Sequence, residues 1–287
     1  MTLKEIHWRT LLFAAVFASM IWGFRLMLFE HAPLAFNGEM EDLSYGWYVP
    51  VFSLYVLWRE RGEIVKSLGA PSAAALPLLG FALLAGFLGA RGSQLRLEIV
   101  GFALTLLALV WTFYGRAAMR RTAFPILFLF FCMPLHSFLD AVTIHLRLFA
   151  VSTAYIIMKI FGVEVVRTGT MLADPAGAFA IDVAAPCSGL RSLFAMMALT
   201  AGYTYFNQPT WTRRAIHFAL SIPIAIVGNV VRIFSIVLVA AWCSPDFATG
   251  FYHDYSGYIV FAVAIALMVA TSGLITAIAE RRGEAAK

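Results

Sequence analysis

The chain has 287 residues, of which 61% are hydrophobic and only 13% are charged, and its formal net charge is +5. Soluble domains carry about 25% charged residues, so this composition excludes an ordinary soluble domain. The apolar residues form long runs, which predict membrane-spanning helices. Most Lys and Arg residues lie in short loops beside these runs, as in membrane proteins generally, so the basic charge does not indicate nucleic-acid binding.

Eight apolar runs have the composition of membrane-spanning helices, although the second and fifth are short and are expected to extend by several residues. In chain order they are Leu11–Phe29, Gly46–Trp58, Ala73–Ala90, Leu97–Tyr114, Ala123–Leu135, Cys187–Phe206, Ala215–Trp242 and Tyr255–Ile278. The sequence contains no internal repeat and no low-complexity tract. We therefore predict an all-α polytopic membrane protein with a single integral membrane domain over residues 1–287.

The loop charges predict an orientation. The cations that fall on one side of this arrangement are Lys4, Arg9, Arg59, Arg61, Lys66, Arg116, Arg120, Arg121, Arg213, Arg214, Arg281, Arg282 and Lys287. The positive-inside rule makes that side cytoplasmic. Residues 30–44, on the other side, contain four acidic residues and no Lys or Arg. Both termini are therefore predicted to lie inside.

The segment His136–Phe161 is apolar enough to resemble a ninth span, but it contains several polar and charged residues that lipid disfavours. If it crossed the membrane, the later basic loops would face outward. We interpret it as an amphipathic helix at the outer interface. His136 and Asp140 are one helical turn apart, which leaves a metal site as a minor alternative; we predict that no metal is bound.

The segment from Gly162 to Pro186 differs from the rest of the chain. β-Branched residues lie on both sides of Asp174-Pro175-Ala176-Gly177, which has the composition of a β-turn. We predict a small extracytoplasmic β-hairpin over residues 162–186, leading directly into the helix that begins at Cys187.

Cys187 is the candidate nucleophile because it falls in the first turn of a predicted helix, followed by Ser188. The partial positive charge of a helix N-terminus favours the thiolate, and Arg191, four residues on, adds positive charge on the same face. Burial opposes this effect because it favours the neutral thiol. A lone membrane cysteine is more often a packing residue, and the same holds for Cys132 and Cys243, for which a disulfide is a minor alternative.

Two further groups are predicted at the same outer leaflet. Asn229 and Arg232 lie in the seventh span, where an arginine is costly and usually faces a polar interior; together they offer donors for an oxyanion. His253 is at the outer start of the last span and can accept and return a proton. The alternative is a transporter or channel in which Arg232 and Asn229 line a polar path, although paired broken helices are not evident.

At these residues the sequence resembles the exosortase/archaeosortase family of membrane cysteine transpeptidases. The similarity is strongest over Phe161–Val260, and it is weaker in the N-terminal part. The matching blocks are Phe161–Gly169, Ala185–Leu190, Ile222-Pro223, Asn229–Ile233 and His253–Gly257, with weaker matches at Leu43–Trp47, Val49-Pro50 and Arg59. Where the family often has Ser-His-Gly, this chain has Tyr45 in the middle position, which weakens any role for that loop.

The resemblance implies that Cys187 is the nucleophile and that Arg232 and His253 complete the catalytic site, with Ser188, Arg191 and Asn229 in support. It implies cleavage of C-terminal sorting signals of secreted proteins at the outer membrane interface, and transfer of the new C-terminus to an acceptor. Such substrates end in a short motif, a transmembrane helix and a basic tail. The family belongs to bacterial inner membranes and archaeal plasma membranes and often accompanies exopolysaccharide production. The resemblance also implies contact with membrane lipid, and it implies no cofactor and no nucleic-acid partner. A simple cysteine protease that ends in hydrolysis is the alternative.

Overall fold

A computed structural model describes residues 3–37, 43–134, 136–183 and 189–281, without the side chains of residues 3–7 and 136–140. The described chain is helical apart from one small sheet. It forms two compact units, Met1–Leu135 and His136–Lys287. The single domain over residues 1–287 stays a prediction.

The first unit consists of helices joined by short turns. Its helices are α1 (Leu3–Gly23), α2 (Ala32–Asn37), α3 (Tyr48–Arg59), α4 (Arg61–Lys66), α5 (Leu76–Arg91) and α6 (Leu95–Phe128). Single 3₁₀ or π turns cover Met27–His31, Ser44–Trp47, Ala73–Ala75 and Leu129–Cys132. Glycines let α5 and α6 approach closely, because a Cβ at Gly101 would lie 2.5 Å from the Cα of Gly86. Such small-residue contacts are a common way for membrane helices to associate.

Gly115 interrupts α6. Its φ of 83° and ψ of 174° are not helical, so the carbonyl groups before it lose their partners within the helix. The backbone N–H groups of Gly69 and Ser72 donate to the carbonyls of Tyr114 and Thr112 at 2.9 and 3.0 Å. The kink lies where the sequence separates the predicted fourth and fifth spans, and the segment before α5 satisfies the exposed carbonyl groups.

A hydrogen bond between His31 and the buried Glu98 joins the turn after α1 to α6. His31 Nδ1 lies 2.8 Å from Glu98 Oε1, and the Glu98 side chain is only 2% exposed. A carboxylate so removed from water needs a partner, because its desolvation otherwise costs several kcal/mol. The pair therefore fixes the bend after α1 against the beginning of α6.

We expect His31→Ala to lower the free energy of unfolding by about 3 kcal/mol, because the Glu98 carboxylate would then be buried without its partner. Thermal and denaturant unfolding of the detergent-solubilised protein measures this loss. The matched control is Lys66→Ala, which removes the exposed Lys66–Glu63 pair at 2.7 Å and should cost less than about 1 kcal/mol. Equal losses in the two variants would contradict a structural role for the buried pair.

The second unit contains α7 (His136–Ile160), α8 (Leu190–Asn207), α9 (Trp211–Trp242), the single turn α10 (Pro245–Phe247) and α11 (His253–Arg281). A π turn at Ala248–Tyr252 precedes α11. The largest core cluster joins α7, the small sheet and the second half of α9, through residues such as Met158, Leu172 and Val237. A second cluster holds α8, α9 and α11 together around Met196, Ala225 and Met268.

The predicted hairpin is confirmed, and a third strand extends it. The strands β1 (Val166–Thr168), β2 (Met171–Ala173) and β3 (Ala180–Asp182) pair antiparallel in sequence order. In the predicted turn, Asp174 accepts from the backbone of Gly177 through its carbonyl and from that of Ala178 through its carboxylate, both at 3.0 Å. Gly169, with φ of 62°, makes the tight turn between β1 and β2 that the sequence analysis did not anticipate.

The polytopic helical membrane fold is confirmed, and the described residues hold five or six candidate spans where eight were predicted. In the described residues, the helices long and apolar enough to cross a membrane are Ala73–Arg91, Leu95–Cys132, Ala141–Ile160, Trp211–Trp242 and Pro245–Arg281. A sixth is the pair Trp8–Gly23 and Met27–Asn37, which is bent by 57°.

The difference has three causes. The predicted fourth and fifth spans lie on either side of the kink at Gly115 in α6, and in this number they count as one helix. The predicted second span corresponds to α3, which has only 12 residues. The predicted sixth span corresponds to α8, which has 18 residues but is less apolar than the candidate spans named above. The predicted interfacial helix contains Ala141–Ile160 and therefore has the dimensions of a span; its interfacial position stays a prediction.

Candidate active site

Three helices of the second unit converge at the candidate site. Helices α8 and α11 are antiparallel to α9. His217 in the first half of α9 packs against Tyr203 near the end of α8 and meets the Met268 carbonyl of α11 at 3.0 Å. Farther along α9, Asn229 meets Gly189 at the start of α8, and Arg232 meets the first turn of α11. The N-terminal ends of α8 and α11 therefore lie beside the second half of α9. Partial positive charge accumulates at such helix ends.

Gly189 and Asn229 connect α8 to α9. Gly189 is the N-cap of α8 in the left-handed conformation, with φ of 82°. A Cβ there would lie 2.8 Å from Cγ and Nδ2 of Asn229, whose side chain is buried. The glycine is thus required for both its backbone conformation and the close approach of the Asn229 amide. This contact brings the beginning of α8 to the predicted oxyanion donors.

The guanidinium group of Arg232 is held by the first turn of α11. Its Nη2 donates to the carbonyl of His253 at 3.2 Å, and its Nε donates to Oγ of Ser256 at 3.3 Å. Ser256 in turn donates to the same His253 carbonyl at 3.0 Å. Within the described residues no partner is seen for Nη1, so this nitrogen can donate to another group.

A small cleft lies beside Arg232. Its space amounts to about 40 Å³, which exceeds the roughly 10–15 Å³ that a water-sized group occupies. The wall consists mostly of small or apolar residues from α8, α9 and α11, and its polar members include Ser192, Asn229 and Arg232. The cleft can thus receive a carbonyl-sized group next to two side chains with N–H donors.

His253 begins α11 and is half-buried, with its side chain 35% exposed. Its Nδ1 lies 3.3 Å from Oδ1 of Asp254, which is 76% exposed. A neighbouring carboxylate favours the tautomer with a proton on Nδ1, which leaves Nε2 as the proton acceptor. Because Arg232 binds the main-chain carbonyl of His253, the two residues that the sequence predicted adjoin each other.

Arg191 lies in the first turn of α8 and is exposed. Its positive charge is close enough to Arg232 for the two guanidinium groups to repel each other. Two cations at one end of the bundle give this end a positive potential that favours thiolates and anionic groups.

Cys187 and Ser188 lie outside the described residues, so their roles stay predictions. Cys132 is buried and Cys243 is exposed, and both are free thiols in the structure. The side chains of His136 and Asp140 are not described. Among the described residues no group of three or more His, Cys, Asp or Glu side chains is placed to hold a metal ion.

Ser256 and Gly257 lie in the matching block His253–Gly257, but no role was predicted for either residue. Ser256 is only 1% exposed, and a Cβ at Gly257 would lie 3.4 Å from Cζ of Arg232. Both residues follow His253 at helical spacings of three and four, which places them on its face of α11. This spacing was the only indication in the sequence that the two residues lie near His253. Their contact with Arg232 on α9 depends on tertiary packing and could not be predicted from the sequence.

Tyr45 lies in the first unit, in the position where histidine is often found in the family that the sequence resembles. Burial, with a smaller effect of nearby Cys132, raises the pKa of the Tyr45 phenol far above its ordinary value. The phenol therefore stays protonated at neutral pH, where it can donate a hydrogen bond but cannot serve as a base.

We expect Gly189→Ala to destabilise the protein by about 1–3 kcal/mol and to lower any activity of the site, because the new Cβ meets Asn229 and disfavours the left-handed backbone. Thermal unfolding and activity measure the two effects. Gly177→Ala is the matched control, since Gly177 has a φ of 81° but open space around its Cβ position. Gly177→Ala introduces only the backbone strain, without a steric contact. Equal losses of stability and activity in the two variants would therefore contradict a specific role for the Gly189–Asn229 contact.

Fold and site together define a multi-pass helical membrane protein with a polar, positively charged site at one end of a three-helix bundle. The family model described as transmembrane exosortase matches residues 37–270, which is most of the chain. This chain belongs to the transmembrane exosortase family. No curated protein and no solved structure matches it.

Proposed function

We propose that this chain is a membrane-embedded cysteine transpeptidase that cleaves C-terminal sorting signals of secreted proteins. The observation that carries the proposal is the position of Arg232. Together with Asn229 this residue lines a carbonyl-sized cleft, and its guanidinium group is bound by the His253 carbonyl in the first turn of α11. Membership of the exosortase family supports the same chemistry. Cys187 precedes Gly189 by two residues in the sequence, and Gly189 meets Asn229 at this cleft.

In the proposed reaction, His253 takes the proton of the Cys187 thiol, and the sulfur attacks the carbonyl carbon of the scissile peptide bond. Nη1 of Arg232 and the amide of Asn229 donate hydrogen bonds to the oxyanion that forms. The carbon–nitrogen bond then breaks, and the imidazolium of His253 returns its proton to the leaving amine. The product of this half-reaction is a thioester between Cys187 and the substrate.

In the second half-reaction, a nucleophilic amine or hydroxyl of the acceptor attacks the thioester. His253 accepts the acceptor's proton and then gives it to the departing sulfur, so that the free thiol is restored. Surrounding lipid and protein exclude water and so favour transfer over hydrolysis. Ser188 and Arg191 support the nucleophile, Arg191 by adding positive charge near the thiolate.

The orientation in this proposal places the site on the outer side of a bacterial inner membrane or an archaeal plasma membrane. Arg213 and Arg214 lie at the start of α9, and Arg281 lies at the end of α11. These cations are at the opposite end of the bundle from His253, as the positive-inside rule requires of an outward-facing site. The substrate would cross the membrane beside the enzyme, with its basic tail inside.

The proposal is tested with a secreted protein of the same genome that ends in a short motif, a transmembrane helix and a basic tail. Co-expression followed by mass spectrometry should reveal an enzyme–substrate adduct on Cys187 that neutral hydroxylamine releases, as expected of a thioester. The mature substrate should carry an added acceptor group. A bare new carboxylate would indicate a simple protease, and an intact substrate would contradict the proposed function.

A further inference from the structure

We propose that Ser256 is a positioning residue that orients the guanidinium group of Arg232 toward the cleft. This inference rests on the proposed function, because it assigns Ser256 to the oxyanion donor of that reaction. Ser256 would not touch the substrate; it would act through Arg232.

The hydrogen bonds around Ser256 have a definite direction. A serine hydroxyl has one proton, and here that proton is donated to the carbonyl of His253 at 3.0 Å. The lone pairs of Oγ are therefore left to accept, and the donor that meets them is Nε of Arg232 at 3.3 Å. Because Ser256 is only 1% exposed, water does not compete freely for these bonds.

The arrangement restricts a flexible side chain. An arginine side chain loses up to about 2 kcal/mol of rotamer entropy when it is fixed in one conformation. Bonds at Nε and Nη2 fix both the position and the plane of the guanidinium group, whereas the Nη2 bond alone would leave the plane free to rotate. Cζ also packs against Gly257, where a Cβ would lie 3.4 Å away. Nη1 takes part in neither bond, so it is the nitrogen that can donate into the cleft that Arg232 lines.

A serine that bonds to a carbonyl three residues earlier is common in helices and is often only structural. Ser235 is such a residue: its hydroxyl donates to the main-chain carbonyl of Arg232 at 2.8 Å. No contact of Ser235 with the guanidinium group is seen in the described part of the chain. Ser235→Ala is therefore the matched control for Ser256→Ala, since each removes one hydroxyl near Arg232.

The probe is p-nitrophenyl acetate, whose attack by a thiol forms an oxyanion and releases coloured p-nitrophenolate. All variants carry Cys243→Ser, because Cys243 is an exposed free thiol that would also react. The first-order acylation rate at saturating probe, and the probe concentration giving half of that rate, are measured on the full chain in detergent. Thermal unfolding is recorded for each variant.

We expect Ser256→Ala to lower the saturating acylation rate about 10-fold, since misplacing a catalytic group by about 1 Å can cost up to about 100-fold. The half-saturating concentration and the thermal midpoint should change little, and Ser235→Ala should match the parent. In a background of Arg232→Ala, the further change Ser256→Ala should cause no additional loss, because the residue through which Ser256 acts is gone.

An unchanged rate in Ser256→Ala, or an equal further loss in the Arg232→Ala background, would overturn the positioning role. A rate loss matched by a lowered thermal midpoint would also overturn it in favour of a structural role. If the parent protein shows no acylation that depends on Cys187, the proposed function itself fails, and this outcome is distinct from the others.

Discussion

Replacement of Cys187 by alanine is expected to lower substrate processing by at least about 10⁴-fold while the protein still inserts and folds. The reason is that the thioester cannot form without the sulfur, and the loss of a nucleophile commonly removes nearly all of an enzyme's rate enhancement. Cys187→Ser should be nearly as inactive, because a hydroxyl is a much weaker acid than a thiol at a site arranged to favour a thiolate.

The control for this result is Cys243→Ser, which removes an exposed thiol outside the candidate site and should leave processing unchanged. Processing is measured as the fraction of a tailed substrate converted to its mature form, with the amount of folded enzyme determined in parallel. Normal conversion by well-folded Cys187→Ala would exclude Cys187 as the nucleophile.

For Arg232→Ala, the expected loss in the acylation rate is about 10²- to 10³-fold, the usual effect of removing one donor from an oxyanion site. Arg232→Lys should recover only a small part of this loss. A lysine retains the positive charge, but its ammonium group cannot reproduce the planar group that binds Ser256 and the His253 carbonyl with two nitrogens and presents a third to the cleft.

The matched control is Arg167→Ala on β1, where the arginine Nε donates to the nearby Gly169 carbonyl at 3.0 Å. This change removes a cation from the same unit without affecting the cleft. Single-turnover acylation separates the chemical step from substrate binding. If Arg232→Lys retained the full rate, charge alone would suffice, and the directional role of the guanidinium group would be wrong.

The sequence was sufficient for the class of fold because apolar runs and loop charges follow from the energetics of the bilayer. It was less informative about bends. The break after Gly23 falls inside the apolar run Leu11–Phe29, so this bend was not predicted, whereas the kink at Gly115 falls between the predicted fourth and fifth spans. The β-turn at Asp174–Gly177 was predictable because its residues carry a local signal, whereas the tight turn at Gly169 has only one glycine to mark it.

The site was predictable only in part. Arg232 and His253 could be assigned because a cation within a span and a histidine beside one are unusual in lipid. Ser256 could not, since a serine in an apolar helix is ordinary and its importance depends on how α9 and α11 cross. The same applies to Gly189, whose positive φ and contact with Asn229 arise from tertiary packing.

The carbonyl of His253 accepts from both Arg232 and Ser256, so one peptide group links the proposed proton acceptor to the proposed oxyanion donor. The break at Gly250 separates this first turn of α11 from the end of α9. Any displacement of the turn would move both of these groups together, so that they would engage and disengage in concert.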